Sequence, residues 1–181
     1  CTKENEESYS AEKYLNKYAG AKYEVARIVL EMTKDTDTNF THLRVFSAYG
    51  ANKQDSSLLK YIFKNNNLDK IHLSDCDYFR DFVYIKDILK CLELILEKPY
   101  SGTLNVGSGV SQNLRKFIEI YAECLDIDFS KFVFGSKVKP DFELPVPPMP
   151  ASLLRINKHL QWMPKYNLRS GLTDMVNSLN V

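Results

Sequence analysis

Apolar residues recur along this chain in two alternating patterns, one with the spacing of a helix face and one of short continuous runs. The helical spacing predicts helices over residues 10–33, 56–64, 88–97, 111–125, 151–159 and 168–178. The short runs predict buried strands over residues 41–46, 70–73, 81–84 and 104–106. Strands that alternate with helices in this way favour an α/β fold with parallel strands.

Turn-forming and capping residues set the predicted limits of these elements. Three consecutive asparagines, residues 65–67, end the second helix as a polar turn. Asp87 is placed to cap the helix over 88–97, and Ser111 is placed to begin the next helix. Residues 137–150 carry five of the seven prolines, so we predict that this segment is a loop.

Composition and charge exclude several classes of protein. Hydrophobic residues make up 44% of the 181 residues and charged residues 26%, as in ordinary globular domains. The 24 basic and 23 acidic residues leave a net charge of +1, which gives no field to attract nucleic acid or acidic membranes. No apolar run approaches the roughly 20 residues of a membrane helix. We therefore expect a globular protein with no nucleic-acid or membrane partner.

The cysteines and histidines show no pattern of a metal site or of a hydrolase. Cys1, Cys76, Cys91 and Cys124 are scattered, with no CxxC and no histidine at ligand spacing, which argues against zinc. The three histidines share no face and have no nucleophile partner, so a hydrolytic triad is not indicated. Scattered free thiols are typical of a reducing compartment, and we expect a cytoplasmic protein without a metal.

Candidate chemistry appears first in the predicted N-terminal helix, where Tyr18 and Lys22 stand four residues apart. Residues at this spacing project from the same helical face, one turn apart. A cation beside a phenol favours the phenolate and lowers the pKa of the phenol from its usual value of about 10. Such a phenol can exchange a proton with an alcohol. Tyr9 and Lys13 repeat the spacing, so the pattern alone also fits two solvated helix residues.

Four downstream segments resemble the C-terminal half of the extended short-chain dehydrogenase/reductases, the nucleotide-sugar epimerase and dehydratase family. They are Leu43–Gly50, Phe79–Asp87, Gly102–Gly109 and Leu160–Leu172. The resemblance runs from about Tyr9 to Val176. It selects Tyr18 over Tyr9, because the family places a strand arginine about 26 residues after the catalytic tyrosine, and Arg44 stands at that distance from Tyr18.

The resemblance implies the second half of a Rossmann-like doubly wound parallel sheet plus a small α/β substrate-binding lobe. Residues 1–46 would be the remnant of the dinucleotide-binding domain that carries the Tyr–Lys helix. Residues 47–181 would be mainly the substrate-binding lobe, with residues 80–126 returning strands and helices to the main sheet. The substrate would lie between the two lobes, where open α/β sheets place their ligands.

The same resemblance assigns roles to individual residues. Tyr18 and Lys22 would be catalytic and would bind the NAD or NADP cofactor. Ser47 and Arg80 would bind a nucleotide-sugar substrate, with the Arg80 guanidinium on the diphosphate. Asp81 would be structural. The family also implies a homodimer formed through the Tyr–Lys helix, and the segment from Leu73 to Asp81 is most similar to members that build deoxysugars for surface polysaccharides.

One departure from the family concerns glycine. The Gly-rich turn that binds the dinucleotide pyrophosphate does not occur among these 181 residues, and Gly107-Ser108-Gly109 lacks a third glycine, so we interpret it as a structural turn. The family's catalytic Ser or Thr would lie upstream of Cys1. We therefore expect a fragment of a longer enzyme, inactive by itself. A non-catalytic binding or regulatory lobe of the same fold remains the alternative.

The family's second diphosphate-binding arginine is also missing from the proline-rich loop. No arginine stands between Arg115 and Arg155. Nucleotide binding would then rest on Arg80, or on Lys137 or Lys139. Epimerase, 4,6-dehydratase and 4-ketoreductase activities are not separated by these residues, and neither are NAD and NADP.

Overall fold

Helices and short strands alternate through the computed structural model, which describes residues 17–51, 57–138 and 148–179 and describes side chains from Gly20 onward. The helices are α1 (Lys17–Thr33), α2 (Leu58–Lys64), α3 (Ile85–Glu97), α4 (Leu114–Cys124), α5 (Leu154–Leu160) and α6 (Leu168–Leu179). The strands are β1 (Thr41–Val45), β2 (Ser47–Tyr49), β3 (Ile71–His72), β4 (Phe79–Tyr84), β5 (Gly102–Val106), β6 (Ser111–Asn113) and β7 (Phe132–Val133). The predicted mixed α/β fold is confirmed.

The described strands form three small sheets. β1 pairs with β5, β2 pairs with β4, and β3 pairs with β7, all in parallel as predicted. β4 also pairs with β6, and this pairing is antiparallel. The chain reverses before β6 in a turn at Gly109, whose φ of 75° lies in the left-handed region that glycine adopts without strain. This one antiparallel edge was not predicted from the sequence.

The two larger sheets share one continuous stretch of chain. β1 ends at Val45 and β2 begins at Ser47, so only Phe46 separates the strands. The Phe46 amide donates to the Val106 carbonyl at 2.9 Å, which holds the crossing point against the end of β5. The sequence predicted one strand here, because the apolar run does not mark the residue at which the chain changes sheets.

Two clusters of buried side chains form the core. The first packs α2, α4 and α6 around β3 and β7, and includes Ile62, Ile71, Ile118, Tyr121 and Leu172. The second packs α3 and α5 against β4 and β5, and includes Val83, Cys91, Leu104, Ile156 and Trp162. Trp162 is buried, and its indole N–H donates to the Asp87 carbonyl at 3.1 Å. Trp162 is therefore a packing residue of the second cluster.

Two predicted helix starts are wrong. α3 begins at Ile85, directly after β4, and Tyr84 occupies the cap position without a side-chain hydrogen bond. The Asp87 carboxylate instead accepts hydrogen bonds from the amides of Lys165 and Tyr166 at 2.8 and 3.2 Å. A distant segment of chain therefore takes the carboxylate that local sequence assigned to a cap.

Ser111 lies in β6 and not at the start of a helix. The helix cap is Asn113, whose side-chain oxygen accepts from the Arg115 amide at 2.8 Å, and α4 begins at Leu114. Pairing with β4 extends the backbone of residues 111–113, and an extended residue with a short polar side chain is what an N-cap requires.

Other predicted limits agree to within a few residues. Ser57 caps α2, and Asn65 ends it. The parts of the predicted elements at residues 10–16 and 56, and most of the predicted loop at 139–147, lie outside the described residues. Within the described part of the chain, no helix is long and apolar enough to cross a membrane. The same residues contain no group of three or more side chains suited to hold a metal ion.

Candidate active site

α1 carries the predicted Tyr–Lys pair on one uninterrupted helix. Tyr18 and Lys22 both lie within Lys17–Thr33, so their backbone positions are one turn apart, as the spacing predicted. The Tyr18 side chain lies outside the description of the structure. The Lys22 side chain is exposed and lines a cavity of about 1110 Å³.

This cavity lies between α1 and the β1–β5 sheet. Its walls come from α1, from the loop that follows α1, from β1 and from the start of β5. Arg44 and His42 on β1 also line it. The space beside Lys22 is therefore large enough to take a small-molecule ligand, since pockets for such ligands typically measure about 300–1,000 Å³.

Ser47 and Arg80 lie together on the neighbouring sheet. Ser47 begins β2 and is the register partner of Phe82 on β4, two residues after Arg80. Because residues two apart on a strand share a face, Ser47 and Arg80 project from the same side of this sheet. Neither residue is among those that line the cavity beside Lys22. The structure thus brings the two predicted substrate-binding residues to one sheet. Lys22 lies apart from them, in the cavity between α1 and the β1–β5 sheet.

The Arg80 guanidinium is held in place by local contacts. It lies 4.5 Å from the centre of the Tyr78 ring, and one of its amino groups donates to the Phe79 carbonyl at 2.8 Å. A cation over an aromatic face is attracted by the ring quadrupole. The remaining donors of the half-buried guanidinium suit a carboxylate or phosphate group.

Two further cations stack on aromatic rings, and their neighbours lie next to the β3–β7 pair. The Arg115 guanidinium lies 4.9 Å from the centre of the Phe134 ring, and Lys137 Nζ lies 3.8 Å from the centre of the Tyr61 ring. The sequence made Lys137 a candidate for nucleotide binding but not Arg115, because a basic residue in the first turn of a helix is usually an ordinary surface charge. Lys139 lies outside the described residues.

Asp81 is buried next to Arg80 and is fully used by the fold. Its carboxylate accepts from the amide and the hydroxyl of Ser108 at 2.6 and 2.7 Å. It also accepts from the amides of Gly109 and Ala151, both at 2.9 Å. A β-carbon added at Gly107 would come within 2.8 Å of an Asp81 carboxylate oxygen. These contacts support the structural interpretation of both Asp81 and the Gly107–Gly109 turn.

Several other tyrosines are unsuited to act as bases. Burial raises the pKa of Tyr49 and Tyr84, and it raises the pKa of Tyr121 to about 12. These phenols stay protonated at neutral pH. They pack in the first core cluster and in ring contacts such as Tyr49 on Tyr84, with ring centres 5.2 Å apart.

Comparisons with known proteins support the α/β architecture. One solved structure with this fold is dTDP-glucose 4,6-dehydratase from Bacillus anthracis in complex with NAD, with 18% identity and a TM-score of 0.77. That match covers 95% of this chain and 55% of the dehydratase chain. UDP-glucose 4-epimerase from Thermotoga maritima, solved with UDP-glucose, has 21% identity and a TM-score of 0.76, and the match covers 90% and 53% of the two chains.

A third structure is the ADP-L-glycero-D-manno-heptose-6-epimerase of Helicobacter pylori, with 23% identity and a TM-score of 0.74. The match covers 94% of this chain and 53% of that one. The chain therefore spans about half the length of the solved structures that it matches. At these identities the likeness concerns the fold alone. The comparison with curated proteins found no match.

The family comparison agrees with the order of motifs in the sequence. The model of the NAD dependent epimerase/dehydratase family matches residues 2–107, which is more than half of the chain. That range contains the Tyr–Lys helix, the parallel strand pairs β1–β5 and β2–β4, and Arg80. The chain belongs to the NAD dependent epimerase/dehydratase family.

Proposed function

We propose that this chain is the C-terminal half of an NAD(P)-dependent enzyme that modifies a nucleotide-linked sugar as an epimerase, dehydratase or 4-ketoreductase. The observation that carries the proposal is the placement of Tyr18 and Lys22 one turn apart on α1, within the part of the chain that the family model matches. The length of the chain, about half that of the matched structures, supports the proposal that it acts within a longer protein.

Tyr18 is the proposed acid and base. Its phenolate takes the proton from a sugar hydroxyl when the carbon that bears this hydroxyl is oxidised. The phenol returns the proton when a ketone is reduced. Lys22 favours the phenolate by its charge. Proton transfer by a positioned side chain of this kind contributes about 10²–10⁴-fold to the rate.

The family implies a dinucleotide cofactor, and part of the fitting site is present. Lys22 lines the cavity between α1 and the β1–β5 sheet, which is large enough for a small-molecule ligand. Together with Tyr18 it would hold the nicotinamide ribose. NAD(P), when bound, supplies the acceptor and donor of hydride. The amides of Ser108 and Gly109 already bind the Asp81 carboxylate, so these two donors are not available to a pyrophosphate. The pyrophosphate would be bound by residues outside these 181.

Arg80 is the proposed anchor of the nucleotide diphosphate, with Ser47 beside it. Arg115 and Lys137 add positive charge on fixed aromatic supports. The solved Thermotoga epimerase, which shares the fold, holds UDP-glucose. We expect the assembled enzyme to act in the cytoplasm, to pair through α1 as a homodimer, and to serve in making surface polysaccharide.

The test of the Tyr–Lys assignment is Tyr18→Phe in the longer protein. Turnover of the nucleotide-sugar should fall by about 10²–10⁴-fold, because the phenol oxygen that moves the proton is lost. Binding of NAD(H), followed by fluorescence, should survive. Tyr9→Phe is the matched control, since Tyr9 has the same spacing to a lysine, and it should leave turnover unchanged. Full turnover of the Tyr18→Phe protein would refute the assignment.

The alternative is a non-catalytic binding or regulatory lobe of the same fold. It is favoured by one observation, that the Asp81 carboxylate occupies the Ser108 and Gly109 amides of the Gly107–Gly109 turn. The two functions differ in a single measurement on the longer protein. A binding lobe would take up nucleotide-sugar in calorimetry without any change in the sugar by NMR, and the enzyme would convert it.

A further inference from the structure

Tyr78 directly precedes β4 and brings its ring against the Arg80 guanidinium. The two residues are two apart in the chain, which is the spacing that puts side chains on the same face of an extended segment. The centre of the Tyr78 ring lies 4.5 Å from Arg80 Cζ. The candidate anchor of the nucleotide diphosphate therefore has an aromatic support from its own segment of chain.

The contact with Tyr78 restrains Arg80 and leaves its charge in place. A cation is attracted to an aromatic face by the ring quadrupole, so the contact uses none of the guanidinium N–H donors. A carboxylate partner would instead use those donors and offset the charge that a phosphate group requires. The adjacent carboxylate of Asp81 is turned toward Ser108, Gly109 and Ala151, from which it accepts four hydrogen bonds.

Tyr78 is itself held by the first turn of α4 and by the core. Its carbonyl accepts from the Leu114 amide at 2.9 Å. Three residues earlier, the Asp75 carbonyl accepts from Arg115 Nε at 2.6 Å. Tyr78 is half-buried and packs against the first core cluster. The ring that supports Arg80 is thus fixed to a helix and to the core.

We propose that Tyr78 is a positioning residue, which holds the Arg80 guanidinium ready to bind the diphosphate of the nucleotide-linked sugar. The inference rests on the proposed function, because it requires Arg80 on the diphosphate. A long side chain loses rotamer freedom when it binds a ligand, and this loss weakens binding. The Tyr78 ring removes part of that freedom before the substrate arrives. Its effect is therefore on the dissociation constant of the diphosphate and not on the chemical step.

The test measures binding to the longer protein by isothermal titration calorimetry, with UDP, dTDP, GDP, CDP and ADP as probes. The nucleoside diphosphate that binds the parent protein most tightly is then used with every variant. Tyr78→Leu keeps an apolar side chain without a ring and should raise the dissociation constant by roughly three- to tenfold. Tyr78→Phe keeps the ring and should bind as the parent does.

Tyr100→Leu is the matched control. Tyr100 is also half-buried, but it packs against the second core cluster, with its ring centre 4.4 Å from that of His159. This substitution removes a ring of the same kind from a place without contact to Arg80. It should leave the dissociation constant unchanged.

A double-mutant cycle separates positioning from a general effect on the fold. Arg80→Ala removes the cation and should raise the dissociation constant more than Tyr78→Leu does. In the Arg80→Ala background, Tyr78→Leu should cause no further loss, because the ring then has no guanidinium to hold. A loss of equal size in both backgrounds would show that Tyr78 only supports the fold, and would overturn the proposal.

The inference and the proposed function fail in different ways. If Arg80→Ala weakens binding and Tyr78→Leu does not, Tyr78 is not the positioning residue, while Arg80 keeps its role on the diphosphate. The same holds if Tyr78→Phe binds as weakly as Tyr78→Leu, because the proposed contact needs only the ring. If Arg80→Ala binds as tightly as the parent, or if no nucleoside diphosphate binds the parent, the role of Arg80 is wrong and the inference falls with it.

Discussion

Gly171 on α6 packs closely against Tyr49 of β2 and Tyr84 of β4. A β-carbon built at this position would overlap the Tyr49 hydroxyl and would come within 3.0 and 3.2 Å of Tyr49 Cζ and Tyr84 Cγ. Glycine normally weakens a helix interior by about 0.5–1 kcal/mol relative to alanine. Here the missing side chain is what lets α6 approach the two rings.

We predict that Gly171→Ala destabilises the protein, although alanine is the better helix former. Overpacking of a close contact costs about 1–3 kcal/mol, which exceeds the gain in helix propensity. The free energy of unfolding in urea measures the change. Tyr49→Phe removes the overlapping oxygen, so the double variant should recover part of the loss. A Gly171→Ala protein as stable as the parent would contradict the predicted overlap.

Residue-scale prediction from sequence succeeded where a side chain acts locally, and failed where a distant segment uses it. The asparagines at 65–67 were predicted to end α2, and Asn65 ends it. Asp87 has the sequence context of a helix cap, but its carboxylate binds amides 78 and 79 residues later in the chain. The amide partners of Asp81 could not be read from its local sequence either. They come from turn and loop segments that only the tertiary fold brings to the carboxylate.

At the scale of elements, α6 is tied to β4 and α3 through one carboxylate. Asp174 on α6 accepts from the Tyr84 hydroxyl at 2.6 Å and pairs with Lys86 Nζ at 2.7 Å. The hydrogen bonds from Lys86 and from Tyr84 hold the pKa of Asp174 below its usual value. A carboxyl with a lowered pKa in the folded state stabilises the fold above its unfolded pKa of about 3.9, and loses that contribution as the pH falls through the folded value.

Asp174→Asn should therefore lower the Tm at pH 7, and the difference from the parent should disappear at a pH well below 3.9. At this chain length each kcal/mol lost corresponds to about 2–4 °C. Thermal scans followed by circular dichroism at both pH values provide the measurement. Glu119→Gln is the control, since its pair with Lys116 is a solvent-exposed contact one turn along a helix. An equal Tm difference at both pH values would rule out the proposed role of ionised Asp174.

Elements themselves were predicted well when their pattern was long. The helices α3, α4 and α6 and the strand β1 lie where the apolar spacing placed them, to within a few residues. The short strands β2, β6 and β7 were missed, because two or three residues carry no period of their own and become strands only by pairing with a neighbour. The register that sets Ser47 beside Arg80 depends on one of these short strands.

At the scale of the whole described structure, the two core clusters enclose two of the three described cysteines. Cys91 is fully buried in the second cluster, and burial raises its pKa to about 11. Cys76 is buried in the first cluster, and Cys124 is half-buried at the end of α4. The thiols thus differ in access while the fold is intact.

We predict that, among the three cysteines that the structure describes, iodoacetamide at pH 8 labels Cys124 first, and that Cys91 reacts only when the fold opens. The thiolate is the reactive form, and a buried thiol with a raised pKa supplies little of it. Peptide mass spectrometry gives the labelling rate of each site. In urea the two rates should become similar. Rapid labelling of Cys91 in native buffer would show that the second core cluster is not closed.

The family and the overall α/β architecture were available from the order of motifs, since each motif is a continuous segment. The apolar pattern did not give the separation of Lys22 from Ser47 and Arg80, because it depends on the single residue, Phe46, at which the chain passes from one sheet to the next; the family resemblance, in contrast, placed a domain boundary between residues 46 and 47. Relative positions of sheets follow from crossings of this kind, and an apolar pattern does not record them.

The carboxylate of Asp81 gives the Gly107–Gly109 turn a ligand that is part of the chain itself. Phosphate or sulfate added to the solution would have to displace this carboxylate from the amides of Ser108 and Gly109 and from the Ser108 hydroxyl. A glycine-rich turn between a strand and the next element is thus no sign of a phosphate site until the possibility of such a resident anion has been checked.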